Sequence, residues 1–387
     1  MIDAQTIGGR IIKTKSIALL ATAGLLLFLP LRADAHPASG IVVDHKGNVY
    51  FSDLETVWKL DAAGKLSVFR PGVSGRHVHE LAIDGQDNIY GADISYESQK
   101  WISDVWRMTP AGELTYLLEP TANPPRGLSI WRDHAGNMYS VDQNNHTKTQ
   151  TLLLGRTPDG SVTTVAGSSY GHRDGKGAAA RFSSVGGMAF GPDGSLYLTD
   201  GEYLRKVTMD GTVTTIAKEL TVPTAQDKQP LFGGAYCTLA GLTVDSGRNV
   251  FVADSGNRRL LRITQAGKVN VVLRSEPPYF PNGAVATMSG DVFVLEVGFT
   301  MPNISTGPRI RRLTPDGKSV VVATVGEESG GQSFKVAVVK SKGVPAESAI
   351  QLSSAASGTK YLIALVSLLV VTVSISLLKR KWRQRHV

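Results

Sequence analysis

The sequence predicts an all-β chain: a six-bladed β-propeller of four-stranded antiparallel blades, with an N-terminal signal peptide and a C-terminal transmembrane helix. Three observations lead there. The stretch "GPDGSLYLTDGEYLRKVTMDGTVTTIA", Gly191 to Ala217, holds three short β-branched runs between turn residues at Asp193-Gly194, Gly201 and Asp210-Gly211. The same order recurs from Asp44, Asp84, Asp133, Asp245 and Ser289. An acid closes the second run of every copy, at Asp53, Asp93, Asp142, Asp200, Asp254 and Glu296, with separations of 40, 49, 58, 54 and 42 residues. A period near that length suits a propeller blade, and a three-stranded unit that cannot hide both faces alone needs neighbours.

The elements of each blade follow in order. An apolar run ahead of each acid supplies the inner strand: "GIVVD" from Gly40, "LAID" from Leu81, "GLSIW" from Gly127, "GMAF" from Gly187, "GLTVD" from Gly241 and "GAVAT" from Gly283. A turn such as "DHKGN" from Asp44 then reverses the chain, because Gly accepts positive φ and Asp or Asn side chains bond their own turn amides. The second strand runs to the acid, a second turn follows, and the third and fourth strands complete the blade, as "VWKL" and "LSVF" do in the first copy. Closing six such blades in a ring leaves only short, protected edges.

One blade carries a family resemblance. "AGSSYGHRDGKGAAARFSSVGGMAFGPDGSLYLTDGEYLRKVTMDGTVTTIAK", Ala166 to Lys218, resembles the bacterial NHL repeat in its DGxG-containing inter-blade loop and its LYxxD…RKxxxxG core. Elsewhere a G-N-hydrophobic-aromatic-x-x-D core persists from about Gly40 to Val325. The resemblance extends to the senescence-marker and gluconolactonase-like propellers, and it implies the same six-bladed fold and either a binding or a hydrolytic role.

The two ends differ from the middle. Arg10, Lys13 and Lys15 precede the apolar run "SIALLATAGLLLFLPL", and Ala33-Asp34-Ala35 has the small-x-small form of a signal-peptidase site. The alternative is an uncleaved anchor; the shortness of the run and its break at Pro30 favour cleavage. Tyr361 to Leu378 are eighteen residues without a charge, followed by Lys379, Arg380, Lys381, Arg383 and Arg385. Basic flanks stay in the cytoplasm, which sets the propeller on the periplasmic or extracellular side of a single-pass protein. A sorting signal that is later removed is the alternative there. The expected boundaries are a signal peptide at 1–35, the propeller at 36–340, a linker at 341–358, the transmembrane helix at 359–378 and a basic tail at 379–387.

The formal charge of +8 lies at the ends. Residues 1–35 hold four basic and two acidic side chains and residues 359–387 six basic and no acidic ones, which leaves 31 of each sign in between. Backbone-dominated nucleic-acid binding needs concentrated positive charge, so it is excluded. Cys237 is the single cysteine, so no intramolecular disulfide holds the ring.

In a four-stranded blade the inner-strand start and the second-strand end meet at one face, beside the central channel. An acid in every blade is read as turn chemistry, its carboxylate bonding turn amides. Function is sought where the repeats disagree. "SGRHVHELAID" sets His77, His79 and Glu80 where other blades have small residues, and makes them the catalytic candidates. Arg126, Asn282, His79 and Glu80 are the ligand-binding candidates. The gluconolactonase-type resemblance implies a divalent ion held by Glu, Asn and Asp at inner-strand starts; Glu80 and Asn282 match, while Arg126-Gly127, Gly186-Gly187 and Ala240-Gly241 offer no carboxylate. The expectation is therefore no cofactor, with Ca²⁺ or Zn²⁺ as the alternative, because Ca²⁺ takes six to eight oxygens and Zn²⁺ needs a third ligand beside two imidazoles. The expected function is a membrane-tethered module that binds a protein or a small polar or anionic ligand at its channel face. The alternative is a metal-dependent lactone hydrolase.

Overall fold

The computed structural model describes residues 39–133, 135–143, 147–227, 239–300 and 304–326. The expected signal peptide, linker, transmembrane helix and basic tail, and Cys237, lie outside these residues. Among the described residues no helix is long and apolar enough to cross a membrane.

Six antiparallel sheets follow one another along the chain, and each is built from consecutive strands. Blade 1 comprises β1 (Ile41–Val43), β2 (Val49–Ser52), β3 (Val57–Leu60) and β4 (Leu66–Arg70). Blade 2 comprises β5 (His77–Ile83), β6 (Ile89–Glu97), β7 (Lys100–Met108) and β8 (Leu114–Thr121). Blade 3 has three strands, β9 (Met138–Gln143), β10 (Gln150–Arg156) and β11 (Val162–Ser169). Blade 4 has five: β12 (Gly175–Lys176) adds to the outer edge of β13 (Val185–Phe190), β14 (Leu196–Asp200), β15 (Tyr203–Val207) and β16 (Thr212–Ala217). Blade 5 is β17 (Leu239–Val244), β18 (Val250–Asp254), β19 (Arg259–Ile263) and β20 (Val269–Arg274). Blade 6 is β21 (Tyr279–Ala286), β22 (Val292–Thr300), β23 (Ile304–Leu313) and β24 (Ser319–Thr324).

Two blades correct the expectation of four strands each. "GLSIW" forms no inner strand in blade 3. Pro124 and Pro125 precede it, Leu128 N–H turns back to the Pro125 carbonyl, and Gly127 takes a φ of 77°. Prolines lack an amide donor and disfavour regular pairing beside them, so only the Arg132–Met138 bridge marks the lost strand. In blade 4 the DGKG loop supplies β12, which pairs with β16 and covers that blade's outer edge.

The turn between inner and second strands is made by one repeated device. Asp44 accepts the Asn48 amide N–H at 2.8 Å, the Asn48 side chain at 2.6 Å and the Tyr50 hydroxyl at 3.1 Å. Asp84, Asn88 and Tyr90 repeat it, as do Asp133, Asn137 and Tyr139. This is the physical content of the recurring G-N-hydrophobic-aromatic core.

The core lies between blades. Six apolar clusters join each blade to the next, and the last closes the ring: Ile41, Val49, Phe51, Trp58 and Leu60 of blade 1 pack on Leu295, Ile310 and Val325 of blade 6. Among the described residues no strand is shared across that seam, and apolar packing stabilises it by roughly 25 cal/mol per Å² of surface buried.

Candidate functional site

Sheet register places the residues facing the channel. In four blades a residue near the start of the inner strand pairs directly with the recurrent acid: Val78 with Asp93, Val185 with Asp200, Leu239 with Asp254 and Pro281 with Glu296. A β-bulge follows at once. Its extra residues are His79-Glu80, Gly186-Gly187, Ala240-Gly241 and Asn282. Bulges re-aim side chains next to functional sites, and every inner-strand candidate of blades 2 and 6 apart from His77 sits in one.

Glu80 stands directly before the apolar inner run, where blades 1, 4, 5 and 6 have Gly40, Gly187, Gly241 and Gly283. Those glycines are required because inner strands touch near the axis. A Cβ on Gly187 would lie 2.7 Å from the Ala240 carbonyl oxygen, one on Gly40 would lie 2.8 Å from the Leu81 amide nitrogen, and one on Gly283 would overlap the Ser39 carbonyl oxygen. Glu80 is tolerated because the next blade is the one without an inner strand. The space left there is a cavity of about 210 Å³ lined by Glu80, Ser129, Trp131, Ser140, Val141, Gln143, Val185, Gly186 and Met188.

Within it the Glu80 carboxylate accepts the Trp131 indole N–H at 3.0 Å. Its residue surface is only partly covered because one side faces the cavity, yet the carboxyl itself is enclosed by protein, and that desolvation raises its pKa above the usual glutamate value despite the indole bond. Across the gap Gln143 replaces the missing strand with a side-chain amide: it donates to the Val185 carbonyl at 2.9 Å and accepts the Val185 N–H at 3.0 Å. The result is a small cleft with a buried carboxyl, hydroxyls, an amide and an indole. It can receive hydrogen-bond donors, and its carboxyl can exchange a proton.

The other candidates lie apart from this cavity. His77 and His79 meet edge to face with ring centroids 6.0 Å apart. Asn282 is buried in blade 6, and its Oδ1 accepts the Ser255 hydroxyl at 3.1 Å. Arg126 is exposed and donates to Asp142 at 2.8 and 3.2 Å, while Gly127 lies against Arg156 and Val162 on the outer part of blade 3. Asn282 does not line the Glu80 cavity, and among the described residues no three His, Cys, Asp or Glu side chains gather as a metal site. Of the Glu, Asn and Asp ligands that the gluconolactonase-type resemblance implies, Glu80 alone lines the cavity.

Five of the six recurrent acids are held in buried or half-buried structural contacts, while Asp142 pairs with the exposed Arg126. Asp53 accepts the Thr56 amide at 2.7 Å and the Trp58 indole at 2.7 Å. Asp200 binds the Ser183 and Ser184 amides and Arg205, which is fully buried; Asp254 binds Asn257 and Arg259; Glu296 binds Arg309 and Arg311. Trp58, Arg205 and Arg259 all stand five residues after their acid. In blade 2, Asp93 pairs with Arg70 from blade 1 and its N–H bonds to Asp104 at 3.2 Å. Burial, then the neighbouring Asp93 charge, pushes Asp104 up to about 6.

Trp131, Gln143, Ser129 and Ser140 were not among the expected site residues. Gln143 directly follows the acid Asp142, and Trp131 ends the apolar run that fails to pair; both become legible once blade 3 is known to lack a strand.

No protein-family model matches the chain, so the expected NHL-type repeats stand on their quoted residues alone; no curated protein matches it either. Among solved structures, virginiamycin B lyase from Staphylococcus aureus is 15% identical, with 74% of this chain and 83% of that chain covered and a TM-score of 0.43. A gluconolactonase from Xanthomonas campestris is 14% identical over 67% and 83%, with a TM-score of 0.41. A putative gluconolactonase is 15% identical over 68% and 86%, with a TM-score of 0.44. Likenesses of this size leave the function open, and the strand order is what establishes this chain as an all-β, six-bladed propeller.

Proposed function

We propose that this propeller is a binding module, tethered outside the cytoplasmic membrane by its C-terminal apolar segment, that takes a small polar, proton-donating ligand in the Glu80 cavity. One observation carries the reading: a glutamate replaces the inter-blade glycine at the one place where a strand is missing, and its carboxyl faces the resulting cavity. An anionic ligand is not favoured, because Arg126 is already paired with Asp142 and does not line the cavity.

Thermal shift against a panel tests it, since a ligand of the folded state raises stability by mass action, by about 2.7 kcal/mol at a hundred times its Kd. Ethylammonium, glycerol and glucose represent donors; phosphate and acetate represent anions. The expected result is a rise with one or more donors that Glu80→Gln abolishes and Arg126→Ala leaves intact. A rise confined to the anions, lost in Arg126→Ala and kept in Glu80→Gln, would overturn the proposal.

A hydrolytic reading rests on the same carboxyl, which lines the cavity and could serve there as a general acid or base. It requires turnover of a simple sugar lactone or ester that Glu80→Gln abolishes while the protein still melts as the parent does.

A further inference from the structure

We infer that the gap in blade 3 is a strand-addition site for the free amino-terminal end of an extended peptide, its backbone pairing with the inner edge of β9 at Val141 and its ammonium received by Glu80. The inference rests on the cavity being the binding site, as proposed above, and it names the ligand.

Backbone direction is the first support. The Tyr139 N–H is taken by the Trp131 carbonyl on the inner side of β9. Strand residues alternate in the edge their backbone groups address, so the N–H and C=O of Val141, two residues on, point to the same inner edge. No strand lies there: β9 is the terminal strand of its sheet, whereas in each other blade the second strand is covered by an inner strand. Val141 and Ser140 line the cavity instead. Backbone polar groups at such an edge are a template for an added strand, and main-chain pairing of that kind is a recurring mode of peptide recognition.

The fold already uses one peptide-like group in this gap. The Gln143 amide pairs with both the N–H and the C=O of Val185 on β13, as a backbone amide would. An incoming peptide would continue toward Val141 what Gln143 does at the gap's end.

Charge selects which end of the peptide enters. The hydrogen bond formed by Glu80 comes from a neutral indole, and no ion pair among the described residues includes it. A buried carboxyl with a neutral partner is completed by a cation, and an amino terminus supplies one with further N–H donors. About 210 Å³ admits one or two small residues, and Gly186 leaves the blade 4 wall without a side chain.

The test uses the full-length protein and the tetrapeptide alanyl-valyl-seryl-glycine carrying a fluorophore at its carboxyl end, followed by anisotropy. Acetylating its amino terminus is expected to weaken binding by about tenfold or more. Methylating the valine or the serine nitrogen in turn should cost about tenfold at one position and little at the other, because only alternate residues address the edge. These changes fall on the peptide, so the protein's folding is not at issue. Equal binding of the acetylated peptide, or tolerance of both methylations, would overturn the inference. If ethylammonium or glucose binds through Glu80 and the peptide does not, peptide recognition fails while the cavity assignment survives. Peptide binding that persists in a normally melting Glu80→Gln variant would refute both.

Discussion

Asp104 gives a stability test with a definite sign. It lies buried in β7 beside Asp93, with Arg76 at 3.5 Å, and its pKa stands near 6 against an ordinary value of 3.8. The folded state therefore holds a proton that the unfolded chain releases between about pH 4 and 6, so the side chain contributes stability at low pH that is lost as pH rises through 6. The shift corresponds to about 3 kcal/mol in full, and to about 2 kcal/mol between pH 4.5 and 7.5. Asparagine keeps the shape and does not titrate. Urea unfolding of Asp104→Asn and the parent should thus show a difference that moves in the variant's favour by about 2 kcal/mol across that range, whatever constant offset the lost Arg76 pairing adds. A difference that is flat with pH, or that moves in the parent's favour as pH rises, would refute the reasoning.

Three further outcomes follow from the fold. Gly283→Ala should lower stability by about 2 kcal/mol or more, because its Cβ meets the Ser39 carbonyl at the seam between blades 6 and 1; thermal unfolding reads this directly. Val250→Ala, in the cluster between blades 4 and 5, should destabilise by about 2 kcal/mol, whereas Lys176→Ala, which removes an exposed pair with Asp210, should change little; the opposite order in denaturant titrations would put the register in error. A reporter active only in the cytoplasm should work when fused after Val387 and fail when fused after Val325, and the reverse would refute the proposed topology.

Much of this architecture was legible in the residues. The recurrent acids gave the register, since in four blades they pair with a residue near the start of the inner strand, just ahead of its bulge. Their reading as turn-amide ligands held for Asp53, Asp200 and Asp254, whereas Asp93, Asp142 and Glu296 bond arginines instead. Blade 3 misled because "GLSIW" has the composition of a strand while Pro124, Pro125 and the left-handed Gly127 divert its backbone. The site was legible only in part for the same reason. Glu80 stood out as a departure from its blade-mates, but its partners Trp131 and Gln143 matter only where a strand is absent, and composition alone does not report that absence. Arg126 was expected at the channel mouth on the strength of an inner strand that does not form.

The assignment of the cavity is tested most directly by hydrogen exchange on the full-length protein, with and without whichever panel compound gives the largest thermal shift. Protection is expected in the segments carrying Glu80, Ser129 to Gln143 and Val185 to Met188, with Asn282 and Ser255 in blade 6 unchanged. Protection centred on Asn282 and Ser255, with the Glu80 and Gln143 segments unaffected, would contradict it.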